Sequence, residues 1–106
     1  MTCSTFELSP NNSIVIEHTV TNPLKDPIYE NSATVTVDIT DNAGNSIAET
    51  PATLFYVADS NGLYRQTFES LSVTEGQSYT VTITATTPDP LTFSCKQRVR
   101  VGGRSC

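Results

Sequence analysis

The chain has no tryptophan, one histidine, one methionine, and 16% charged residues among its 106. Each scarcity excludes something. Without tryptophan, the buried indole that packs the core of an antibody-type immunoglobulin domain is missing. The lone histidine, His18, has no partner at motif spacing for metal or base chemistry. It shares an alternating face with Ile14, Ile16 and Val20, so it reads as a core or rim residue. No run of about 18 apolar residues exists, so no helix of the usual kind spans a membrane. No Gly-x-Ser-x-Gly elbow supports any of the Ser-His-Asp combinations the composition allows. Basic residues are also few, 6 against 11 acidic, for a net charge of −5. That balance argues against nonspecific binding to nucleic acid or to anionic membranes. The N-terminus, Met1 to Glu7, has neither a basic head nor an apolar core. It therefore does not read as a secretory signal, and if Met1 is the natural start the expectation is a chain made and kept in a cytoplasm.

Cysteine is scarce and odd in number: Cys3, Cys95 and Cys106. The disulfide of an immunoglobulin domain joins its second and sixth strands, and neither of the corresponding segments here holds a cysteine. Free thiols in a reducing compartment are the expectation. No titratable neighbours at useful spacing turn these cysteines into a metal site or a nucleophile. No cofactor, no metal and no catalytic residue is expected.

What the chain does have is threonine in alternation. Two strands, Ala33–Thr40 and Ser78–Thr87, place polar residues, mostly β-branched threonine, on one face and apolar ones on the other, which is how a half-buried strand is written. The same reading gives strands at Ser13–Thr21, around Ile47 and Ala48, at Thr53–Ala58, Leu63–Ser70 and Leu91–Val101. Turn clusters separate them at Asn22–Pro27, Asp41–Asn45, Asp59–Gly62 and Pro88–Pro90. The fold class predicted is all-β, an immunoglobulin-like antiparallel β-sandwich of about seven strands. It occupies residues 13–101, after a polar segment 1–12 and before a short tail 102–106. A transthyretin-like or fibronectin-like variant fits almost as well. Thr53–Ala58 is apolar on both faces, which suits contact with a partner or a covering loop. Tyr79, early in its strand and following Gly76, has the position of a tyrosine corner whose hydroxyl bonds back to the preceding loop. Asp38 to Asn45 carries oxygens suited to calcium but lacks the EF-hand spacing, so it reads as a strand end and a turn.

Charge is segregated. Lys96, Arg98, Arg100 and Arg104 are four of the 6 basic residues and fall in the last eleven positions. Period two puts Lys96, Arg98 and Arg100 on one outward face. They form a candidate docking face for an acidic protein surface. The plainer reading is an edge strand protected from aggregation by its cations.

Read in order, Ala33–Val37, Asp41–Gly44, Leu54–Val57, Gly62-Leu-Tyr-Arg65, Leu71–Gly76 and Tyr79–Ala85 resemble small immunoglobulin-like proteins of bacteriophages and prophages, encoded near head and tail morphogenesis genes. The clearest element is Gly-x-Tyr-Arg at Gly62 to Arg65, followed by Gly-x-x-Tyr at Gly76. The three cysteines depart from that family's usual pattern. The resemblance implies a noncatalytic structural or accessory protein that binds other particle (head–tail) proteins, with self-association an option. No small-molecule substrate is expected, and the acid balance already argues against nucleic acid and membranes as partners. The resemblance also implies a location in the host bacterial cytoplasm, with incorporation into the virion a further option. The alternative is an adhesion or carbohydrate-binding module of a bacterial surface protein, for which Tyr29 and Phe55 are the candidate exposed aromatics.

Overall fold

Alternation alone dictates most of what forms. The computed structural model describes residues 13–22, 29–88 and 91–101. Six strands lie among them: β1 (Ile14–Thr19), β2 (Thr34–Thr40), β3 (Ala52–Tyr56), β4 (Leu63–Phe68), β5 (Ser78–Thr86) and β6 (Thr92–Arg100). They form one antiparallel sheet in the order β1-β4-β3-β2-β5-β6. The described residues contain no helix. The segments 1–12 and 102–106, and most of the proline-bearing loop after Asn22, lie outside them.

The sheet curls into a half-barrel because β3 divides its pairing. Its first part, Ala52 to Leu54, pairs with Val37 to Val35 of β2, and its last two residues, Phe55 and Tyr56, pair with Arg65 and Tyr64 of β4. A strand that changes neighbours midway turns the sheet at that point. The Gln66 side chain reinforces the turn by donating to the Thr53 carbonyl at 2.9 Å.

The core lines the inside of the curl. Ile16, His18 and Val20 face inward from β1 and its end, Val35, Val37 and Ile39 from β2, and Tyr79, Val81, Ile83 and Ala85 from β5. Tyr64 and Phe68 on β4, and Cys95 and Val99 on β6, complete it. All follow the period of two. Burying these side chains is the main favourable term, roughly 1.5–3 kcal/mol for each large aliphatic or aromatic residue.

Two expectations change. The strand predicted around Ile47 and Ala48 reduces to an isolated bridge between Thr40 and Ser46. Ile47 is buried and its N–H donates to the Ile39 carbonyl at 2.9 Å, but the pairing stops there. The Thr50 hydroxyl takes over: it accepts the Ile39 N–H at 3.1 Å and lies 3.2 Å from the Ile39 carbonyl, so a side chain fills the place a third strand would occupy. Thr50→Val keeps the shape and removes these bonds. It is expected to cost about 1 kcal/mol in urea unfolding, with an unchanged m-value. Secondly, Cys95 is disulfide-bonded. This corrects the expectation of a free thiol there. Its inward orientation on β6, opposite Ile83, buries the sulfur in the core. Cys3 and Cys106 lie outside the described residues.

The tyrosine-corner expectation holds in its contact. The Thr74 N–H donates to the Tyr79 hydroxyl at 2.8 Å, which pins the loop before β5 to the start of the strand.

Candidate protein-docking face

β2, β5 and β6 present a polar outer face in register. Across it, Thr40 faces Thr80, which faces Arg98; Asp38 faces Thr82, which faces Lys96; and Ser78 faces Arg100. Threonine suits such a surface because its methyl covers the pleat while its hydroxyl meets water. Lys96, Arg98 and Arg100 are all exposed, so the structure brings the three predicted residues onto one face of one strand. The backbone positions that carry successive cations are about 6.8 Å apart along β6. Arg98 Nη2 donates to Asn42 Oδ1 at 3.1 Å, which leans the guanidinium toward the Asp41–Asn45 turn. Arg100 makes no side-chain hydrogen bond or ion pair among the described residues.

Beside Arg98 and Arg100 lies a shallow cleft of about 280 Å³, lined by Asp41, Asn42, Ala43, Gln77, Ser78 and Tyr79. Its turn wall is stiff. Asp41 Oδ1 accepts the N–H groups of Ala43 at 2.9 Å and Asn45 at 3.0 Å, and the Asp41 carbonyl accepts the Gly44 N–H at 3.0 Å. Asp38 Oδ1 accepts the Ser46 hydroxyl at 2.7 Å. These oxygens close a turn, which is the reading the spacing favoured over a calcium loop.

The outer face of β1, β4 and β3 differs. Phe55 is 62% exposed and Val15 53% exposed. Between β1 and β4, Arg65 donates to Glu17 Oε2 from Nε at 3.1 Å and from Nη2 at 2.9 Å. Phe55 stands directly across from Arg65. Tyr29, the other candidate aromatic, is exposed in an isolated bridge to Thr21. The two therefore belong to different parts of the fold. Sequence reading passed over Glu49, whose carboxylate accepts the Ser72 N–H at 2.7 Å and the Ser72 hydroxyl at 2.9 Å. The Ser72 N–H chiefly holds this carboxyl below its ordinary range. Only the fold brings the two together, so no local signal could have found them.

His18 sits inside the curl opposite Tyr64, 1% exposed, with neither ring nitrogen hydrogen-bonded. Burial lowers its pKa below the ordinary 6.5. An unfolded chain therefore takes up this proton as pH falls through 6.5 while the folded chain resists it. Stability is fully present above that pH, declines below it, and levels off once the lowered folded value is passed. His18→Leu removes the titrating group and the unpaired nitrogens. It is expected to gain about 1 kcal/mol at pH 7 and to flatten the acid slope in denaturant titrations.

Compared with protein-family models, with curated proteins and with solved structures, the chain shows no significant match to any.

Proposed function

We propose that this is a noncatalytic structural or accessory protein of a phage or prophage, one that binds other particle proteins through the outer face of β6. The observation that carries the reading is the charge segregation: three exposed cations in register on one strand of a chain whose net charge is −5. Opposite charges steer partners into register and raise association rates more than they add affinity. The phage assignment rests on the ordered motifs from Ala33 to Ala85. Synthesis in the host cytoplasm with incorporation into the particle fits it, and the Cys95 disulfide supports the particle as its final place, since disulfides persist at virion and cell surfaces.

For the fold we favour the finer description of an immunoglobulin-like sandwich. On that description β1, β4 and β3 form one leaf and β2, β5 and β6 the other, matching the strand partition of a constant-type domain lacking its first strand. Tyr79 at the head of β5, hydrogen-bonded to the loop before it, supports this description.

Mass spectrometry of purified particles and assembly intermediates tests the function. The chain is expected in one or the other, and its absence from both would overturn the reading. A second reading, the exported adhesion or carbohydrate-binding module, draws on the same disulfide and on the exposure of Phe55. Binding on a glycan array that is lost in Phe55→Ala would favour it.

A further inference from the structure

We propose that the Lys96–Arg98–Arg100 ladder receives an extended acidic segment of a different protein, with a carboxylate at every second residue. The inference rests on the docking reading above and names the chemistry of the partner. The cations repeat every two residues of an extended strand, on backbone positions about 6.8 Å apart. An extended partner running alongside has the same period. Its alternate carboxylates would each meet a cation, while the intervening side chains point away. Arginine adds forked, bidentate recognition of carboxylate at two of the three positions.

A second copy of this chain does not supply the occupant. Its 11 acidic residues include no two that are two positions apart; the nearest pair, Asp38 and Asp41, is three apart. No extended stretch of it offers the required spacing. Single-stranded nucleic acid also carries regularly spaced anions, but it is held by aromatic stacking alongside charge. The outer faces of β2, β5 and β6 bear threonine, serine, Asp38 and the three cations, with no aromatic residue; Phe93 lies on the other face of β6.

The face is also directional. Asp38, in register with Lys96 across Thr82, opposes a carboxylate at that end. The other end, at Arg98 and Arg100, abuts the cleft lined by Asp41, Asn42, Ala43, Gln77, Ser78 and Tyr79, where Asp41 Oδ1 is engaged by the N–H groups of Ala43 and Asn45. A partner therefore binds most firmly at the Arg98–Arg100 end, where two forked guanidiniums recognise its carboxylates.

The experiment uses the full chain and a fluorescein-labelled Glu-Thr repeat peptide long enough to span β6. The control peptide has the same composition with its glutamates contiguous. Fluorescence anisotropy is read at low and at moderate salt. The alternating peptide is expected to bind about fivefold more tightly than the block peptide, and less tightly as salt rises. Arg98→Glu and Arg100→Glu are each expected to weaken it about fivefold, and Lys96→Glu less, with thermal melts shifted by only a few degrees because contacts of exposed charges contribute little. Equal binding of the two peptides, binding of neither, or tighter binding of an oligodeoxythymidylate would overturn the proposal. So would a dimer at low salt that Arg100→Glu abolishes. The two readings can fail separately. Absence of the chain from particles would remove the phage function and leave a positive peptide result standing. A negative peptide result with the chain present in particles would remove the ladder alone.

Discussion

Gly62→Ala is expected to remove about 3 kcal/mol of folding stability, a large share of what a small domain holds. Two costs add. Gly62 has φ of 73°, in the left-handed region, where an alanine loses roughly 1–2 kcal/mol. Its Cβ would also lie 2.5 Å from the Val20 carbonyl oxygen and 3.3 Å from the Glu30 nitrogen. Neither neighbour is a side chain that can swing aside. The Val20 N–H donates to the Gly62 carbonyl at 2.8 Å, the Glu30 N–H donates to the Val20 carbonyl at 3.1 Å, and the Gly62 N–H donates to Asn31 Oδ1 at 2.8 Å. Making room for one methyl group means breaking a closed set of backbone bonds. Gly44→Ala is the control. Its φ is 85°, but no atom lies within 4 Å of the added carbon, so it carries the conformational cost alone, about 1 kcal/mol. Thermal melts read the difference. A drop of about 12–20 °C is expected for Gly62→Ala and of about 5 °C for Gly44→Ala. Equal drops would mean that the close approach to Val20 contributes nothing.

Gly62 opens the Gly-x-Tyr-Arg element that carried the resemblance, and the structure gives its members physical roles. Glycine permits contact with Val20, the tyrosine anchors the segment from Glu30 to Ala33, and Arg65 pairs with Glu17. Alternation made much else legible: the inward faces of β1, β2, β4 and β5, the buried place of His18, and the outward run of Lys96, Arg98 and Arg100. These are local properties, since the period of two decides which side chains share a face. What alternation cannot carry is the identity of a strand's neighbours. Leu54 is buried whichever strand lies beside it, so nothing in Ala52–Tyr56 shows that its halves pair with β2 and β4 in turn. The missing third strand has a similar cause. Ile47 is apolar and buried as a strand residue would be, but a hydroxyl three residues on captures the Ile39 backbone. The exposure of Phe55 was half legible: both faces of its strand are apolar, but only the curl decides which face is left outside. Cysteine spacing, too, says nothing of proximity, and the bonded state of Cys95 had to come from the fold.

Tyr64→Phe is expected to cost about 2 kcal/mol, although it removes a single oxygen atom. The hydroxyl donates to the Glu30 carbonyl at 2.8 Å and accepts the Ala33 N–H at 2.9 Å. It therefore satisfies two backbone groups of a segment that no strand covers. Phenylalanine keeps the ring, its burial and its tilted contact with Tyr56 at 5.7 Å between centroids. The loss is then confined to two orphaned polar groups, each worth about 1 kcal/mol. Tyr79→Phe orphans only the Thr74 N–H, so it should cost about half as much in the same urea titration. A Tyr64→Phe cost no greater than that of Tyr79→Phe would show that the Glu30–Ala33 segment holds its place without the hydroxyl. The double variant decides how the segment is fixed. Gly62 and Tyr64 both bear on Glu30, one through the Val20 bond and one through its carbonyl. Once alanine at 62 has displaced that backbone, the hydroxyl has less left to hold. The combined cost should therefore fall short of the two single costs added together, which is the behaviour of one coupled network rather than two independent contacts.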